Sequence, residues 1–128
     1  MNALIKSAKI IDNNSTFNGE TVDILIEKGI ISKIGKSLKN PNNIKEYSFE
    51  GLHASPGWFD MRANFCDPGH EYKEDLNSGL KAAAKGGFTG VMVMPDTEPS
   101  NSTKSGIEYI INKAKGNIVD ALPAGSLS

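Results

Sequence analysis

The chain has one cysteine, Cys66, in 128 residues. A single thiol leaves no partner for an internal disulfide and excludes zinc held by cysteines alone. Histidine is nearly as scarce, with only His53 and His70. Charge of one sign is missing too: 14 Lys and Arg face 15 Asp and Glu, for a net charge of −1. That balance gives no broad electrostatic footprint for nucleic acid or for an anionic membrane surface. No apolar run approaches the roughly 20 residues that a helix needs to cross a bilayer. The opening Met1-Asn2-Ala3-Leu4-Ile5-Lys6 lacks the basic-then-apolar layout of a signal peptide. These absences make a cytoplasmic protein the expectation. At 38% apolar and 23% charged residues, the chain has enough apolar side chains for a core and is not expected to be disordered.

The first fifty residues read as β-structure. Ala3 to Asp12 is an apolar run that ends in the turn-prone cluster Asp12-Asn13-Asn14-Ser15. Val22, Ile24 and Ile26 alternate with Asp23 and Leu25, Glu27-Lys28-Gly29 turns, and Ile30, Ile31 and Ile34 follow, so a hairpin is expected. Residues 36–46 form a polar loop, and Tyr47 to Leu52 reads as a further short strand.

The character changes after Leu52. Trp58 to Phe65 reads as a strand carrying Asp60, Arg62 and Asn64. A helix is expected near Glu74–Lys85, striped by Leu76, Leu80, Ala83 and Ala84 and stopped by Gly86-Gly87. Thr89 to Met94 is a continuous apolar strand of the kind covered on both faces in a parallel sheet. Ser105-Gly106-Ile107-Glu108 matches a capping box for a second helix with Ile107, Ile110, Ile111 and Ala114 on its apolar face. Ile118 to Pro123 begins a third strand. The order β-α-β-α-β is the pattern of a parallel α/β sheet. Three strands cannot close a barrel, so the expectation is part of a larger fold with an open apolar edge; a small open α/β domain is the alternative.

The motifs narrow the reading. Pro56-Gly57-Trp58-Phe59-Asp60-Met61-Arg62-Ala63-Asn64-Phe65-Cys66-Asp67-Pro68-Gly69 resembles the first barrel strand of cyclic amidohydrolases. Glu71-Tyr72-Lys73-Glu74-Asp75 and Ala82 to Gly90 are similar to the dihydroorotase family within that group, although dihydropyrimidinases and allantoinases share much of the pattern. Met94-Pro95-Asp96-Thr97-Glu98-Pro99 resembles that family's second-strand motif Met-Pro-Asn-Thr-x-Pro, and Glu27-Lys28-Gly29-Ile30-Ile31 its amino-terminal hairpin. The resemblance implies an α/β fold: a small β-sandwich subdomain, here residues 1–52, and the first units of a TIM barrel, here residues 53–128.

In that family the first strand ends Asp-x-His-x-His-x-Arg. Alternate residues of a strand share a face, so two imidazoles can bind one metal, whose activated water attacks a cyclic amide carbonyl. The resemblance implies that the Arg, with the Asn of the second motif, holds the substrate carboxylate, and that a modified Lys, further His and an Asp base follow later in the chain. Here the two His positions are Arg62 and Asn64, and the substrate-binding positions are Cys66 and Asp96. A guanidinium stays protonated and has no lone pair to offer. Its repulsion from a divalent ion roughly 4 Å away is on the order of 8 kcal/mol at an effective dielectric of about 20. Asn64 offers only a carbonyl oxygen, Cys66 cannot clamp a carboxylate, and Asp96 repels one. No catalytic residue is therefore assigned and no cofactor is expected.

The resulting expectation is a catalytically inactive dihydroorotase-like protein of pyrimidine biosynthesis, a pseudoenzyme. By family analogy its partner is aspartate transcarbamoylase, which it would scaffold, or a second copy of itself, with no nucleic acid or membrane. The alternative is an active, zinc-dependent dihydroorotase or related cyclic amidase. Arg62 and Asp96 are expected to pair where a metal would sit. Asp60, His53 and His70 are read as structural or surface residues, although His70 could lie near the barrel mouth. Cys66 is read as an inert thiol rather than a nucleophile, and Lys73, Glu74 and Asp75 as a solvated helix start.

Overall fold

A computed structural model describes residues 1–127. They divide along the chain into two compact units, between Pro56 and Gly57. The junction falls later than the 52/53 boundary expected from the sequence, because His53 and Ala54 pair with the first strand.

The first unit is a five-stranded sheet: β1 (Ala3–Ile10), β2 (Thr21–Glu27), β3 (Ile30–Gly35), β4 (Lys45–Ser48) and β5 (His53–Ala54). Its order is β3-β2-β1-β4, with β5 also on β1. Lys28 and Gly29 both take positive φ, 54° and 82°, and join β2 to β3 through the tight turn that the Gly signalled. The pairing of β1 with β2 shifts between Ile5 and Ala8, where Ser7 has φ 55°. The displaced Ser7 N–H donates to the buried Asp23 carboxylate at 2.9 Å, which also accepts from Leu38 N–H and Lys6 Nζ. Ala8, Ile10, Val22 and Ile24 form this unit's own core. The expected strand at Tyr47–Leu52 starts earlier, at Lys45, since Ala3 to Lys6 offer a parallel edge to residues 45–48.

The second unit is the β-α-β-α-β series: β6 (Trp58–Ala63), α1 (Leu76–Lys85), β7 (Phe88–Val93), α2 (Lys104–Ala114) and β8 (Asp120–Pro123). All pairings are parallel, in the order β6-β7-β8. Leu76 and Leu80 of α1 and Ile110 of α2 pack with Val91 and Val93, all at most 1% exposed. Asp75 caps α1 by accepting from Asn77 N–H and Ser78 N–H, so the helix begins after the acids rather than at Glu74. Gly87, at φ 83°, ends it as expected. The second cap differs: Thr103, not Ser105, accepts from Gly106 N–H at 3.2 Å, and Ser105 lies inside the helix. Thr103 alone has the extended backbone that a cap requires, while the Ser105 pattern matched only in spacing. Among the described residues β8 pairs with β7 alone, and Ile118 and Leu122 are exposed, as the open edge predicted. No helix is long and apolar enough to cross a membrane among those residues.

Candidate functional site at the carboxyl ends of β6 and β7

Parallel strands bring their carboxyl ends to one edge, which is where α/β folds carry their sites. β6 ends at Ala63, whose carbonyl accepts from Met94 N–H just past β7. Asn64 and Cys66 then leave one strand while Asp96 leaves the other. Asn64 Nδ2 donates to Asp96 Oδ2 at 2.7 Å, and Cys66 Sγ lies 3.3 Å from the same oxygen. Three of the four substituted family positions thus close on one another. The other carboxylate oxygen, Asp96 Oδ1, is buried and has no hydrogen-bond partner among the described residues.

The fourth position behaves otherwise. Arg62 is exposed and makes no ion pair with Asp96 or any other described residue. The pairing expected from the sequence does not form, because the Arg62 side chain stays on the exposed surface while the one unpartnered oxygen of Asp96 is buried. Asp60 serves locally: its Oδ1 accepts the Arg62 N–H at 2.8 Å, where the β6–β7 register shifts.

Burial pushes the Cys66 thiol up from its ordinary value, and the Asp96 hydrogen bond and charge push it further the same way. The residue takes φ 59°, in the left-handed region.

The loop after Cys66 is anchored by a group that reading the sequence did not single out. Asp67 is completely buried. Its carboxylate accepts from Leu76 N–H at 2.9 Å, Tyr109 Oη at 3.0 Å and Lys113 Nζ at 2.9 and 2.7 Å. Burial raises its pKa, but the hydrogen bonds from Lys113, Leu76 and Tyr109 together outweigh that and hold the carboxyl below the usual range. Lys113 is held above the usual lysine range: burial opposes the charge, and Asp67 more than restores it. The available signal was the i, i+4 spacing of Tyr109 and Lys113 on one helix face.

The remaining candidates make other contacts. His53 is exposed, with Nδ1 2.6 Å from the Gly51 carbonyl. His70 donates its backbone N–H to the Cys66 carbonyl, while its ring meets Tyr72 edge-on. Lys73 sits over the Tyr72 ring, and Glu74 accepts from the Ser78 hydroxyl.

A family model described as dihydro-orotase-like matches residues 53–126. The chain belongs to that family. This dihydroorotase-like chain is 45% identical to the dihydroorotase of Geobacter metallireducens over 129 aligned positions, covering 100% of the chain and 30% of that protein. It is 43% identical to the dihydroorotase of Acetivibrio thermocellus, covering 98% of the chain and 29% of that protein. It therefore spans under a third of the length of these curated relatives. Among solved structures, a D-hydantoinase (dihydropyrimidinase) from Thermus sp. superposes with a TM-score of 0.74 at 26% identity, covering 98% of the chain and 28% of that structure. An L-hydantoinase (dihydropyrimidinase) from Arthrobacter aurescens gives 0.77 at 20% identity, over 96% and 27%, and bears on the fold alone. The fold is that of part of a TIM-barrel amidohydrolase.

A divalent metal is what the resemblance implies at Arg62 and Asn64, and these residues do not fit one. A guanidinium has no lone pair, and Asn64, whose Nδ2 donates to Asp96, offers only an amide oxygen, a poor substitute for imidazole at zinc.

Proposed function

We propose that this is the dihydroorotase-like part of a protein of pyrimidine biosynthesis that does not itself hydrolyse a cyclic amide and acts structurally, holding aspartate transcarbamoylase. One observation carries the reading: Asn64 and Cys66 both turn their donors onto Asp96 Oδ2 at the strand ends. A metal ligand must turn an acceptor toward the ion, and a carboxylate clamp must present donors. Asp96 instead presents negative charge and spends the donors of its neighbours on itself. The dihydroorotase relatives support the place in pyrimidine biosynthesis, and the partner rests on family analogy.

The test has two arms on the purified protein. Size-exclusion chromatography with aspartate transcarbamoylase is expected to give a co-eluting complex, and a dihydroorotate assay is expected to give no turnover above the uncatalysed rate. Turnover without a complex would favour the second reading, an active dihydroorotase, which the 45% identity to the Geobacter metallireducens enzyme supports.

A further inference from the structure

The side chains of the strand-end cluster do not by themselves explain how Cys66 comes to face Asp96. Its φ of 59° lies in a region that residues other than glycine enter only at a cost, and such a conformation persists where its surroundings over-determine it. On the amino-terminal side Cys66 follows the buried Phe65 and the Ala63 carbonyl, which is held by Met94 N–H. On the carboxyl-terminal side its carbonyl accepts from His70 N–H at 2.8 Å, and the Pro68 carbonyl accepts from Glu98 N–H at 2.9 Å. The next residue, Asp67, is fixed by donors from two helices, and the reach is long: Lys113 lies 46 positions along the chain.

We propose that Lys113, acting through Asp67, is a positioning residue for the strand-end site: it holds the loop so that Cys66 stays against Asp96 and the cluster stays closed. The inference rests on the reading of Asn64, Cys66 and Asp96 as the site. Lys113 does not touch the cluster. Its ammonium contacts both carboxylate oxygens of Asp67 and the Tyr109 hydroxyl, so the loop, the start of α1 and the face of α2 are tied at one point. An Arg can also grip both oxygens of one carboxylate, whereas a Met keeps the length of the side chain and removes the donor.

Because Cys66 is the chain's one cysteine, its alkylation reports on this geometry alone. The experiment measures the rate of iodoacetamide reaction with the folded protein at fixed pH. Lys113→Met is expected to raise the rate by about fivefold or more, as the thiol leaves Asp96 and becomes more accessible. Lys113→Arg is expected to stay within about twofold of the parent. Val119→Ala, which removes volume from the same buried core, destabilises without touching the anchor and is expected to leave the rate within about twofold. A Lys113→Met rate indistinguishable from the parent, or an equal rise in Val119→Ala, would overturn the inference. If Lys113→Met does not fold, Tyr109→Phe removes a single donor to Asp67 and is expected to raise the rate by about two- to threefold, with no rise counting against the inference. Dihydroorotate turnover would refute the non-hydrolytic reading yet leave these rates unaltered, so the two failures are distinguishable.

Discussion

Gly79 sits in the middle of α1 and is buried. A Cβ at this position would come within 2.5 Å of two ring carbons of Phe65. Two effects oppose each other in Gly79→Ala. Helix propensity favours alanine by about 1 kcal/mol. Overpacking a filled core costs about 1–3 kcal/mol. The contact decides between them: Phe65 is only 8% exposed and shares its core with Leu76, Leu80 and Val93, so its ring has little room to retreat. The cost therefore belongs near the top of its range, and the net effect is a loss of about 2 kcal/mol. Urea denaturation followed by far-UV circular dichroism would measure it as a lower midpoint with an unchanged slope. Phe65→Leu in the Gly79→Ala background should recover part of the loss, because the smaller side chain vacates the contested space. A variant more stable than the parent would refute the reasoning, since propensity would then have outweighed the clash.

Further outcomes follow from the anchors. Asp67 is held below the ordinary aspartate pKa, so its contribution is complete above the unfolded value near 4 and is lost as pH falls through the folded value. Stability should therefore decline below about pH 4, and Lys113→Met should flatten that decline in parallel denaturation series. Lys113, held above the ordinary lysine value, contributes fully below about pH 10 and loses its share only as pH climbs higher. Thr103→Ala should cost about 1 kcal/mol in urea denaturation and Ser105→Ala much less, because only Thr103 caps α2; the reverse order would contradict the cap assignment.

Much of the second unit was legible because its signals are local. Apolar periodicity marked α1 and α2, Gly86-Gly87 marked a helix end, and the run from Thr89 to Met94 marked β7. The hairpin at Lys28-Gly29 was legible for the same reason. The errors arose where tertiary contacts decide. His53 and Ala54 gave no strand signal and exist as β5 only because β1 offers them an edge. The capping box at Ser105 fitted the spacing, yet the chain turns at Thr103. At the site, sequence brought Arg62, Asn64, Cys66 and Asp96 to one place, but side-chain direction lay beyond its reach. Oppositely charged Arg62 and Asp96 made the obvious pair, whereas Arg62 stays exposed and Asn64 and Cys66 reach one Asp96 oxygen instead. Asp67 was passed over because its partners lie up to 46 residues away.

The proposed reading requires that this strand-end site not hold the metal that the family resemblance implies. Elemental analysis of the purified protein, after dialysis against zinc, tests it most directly. Less than about 0.1 zinc per chain is expected, since Arg62 has no lone pair and Asn64 offers only an amide oxygen, a poor substitute for imidazole. Near-stoichiometric zinc that is lost on Asn64→Ala or Asp96→Ala would contradict it.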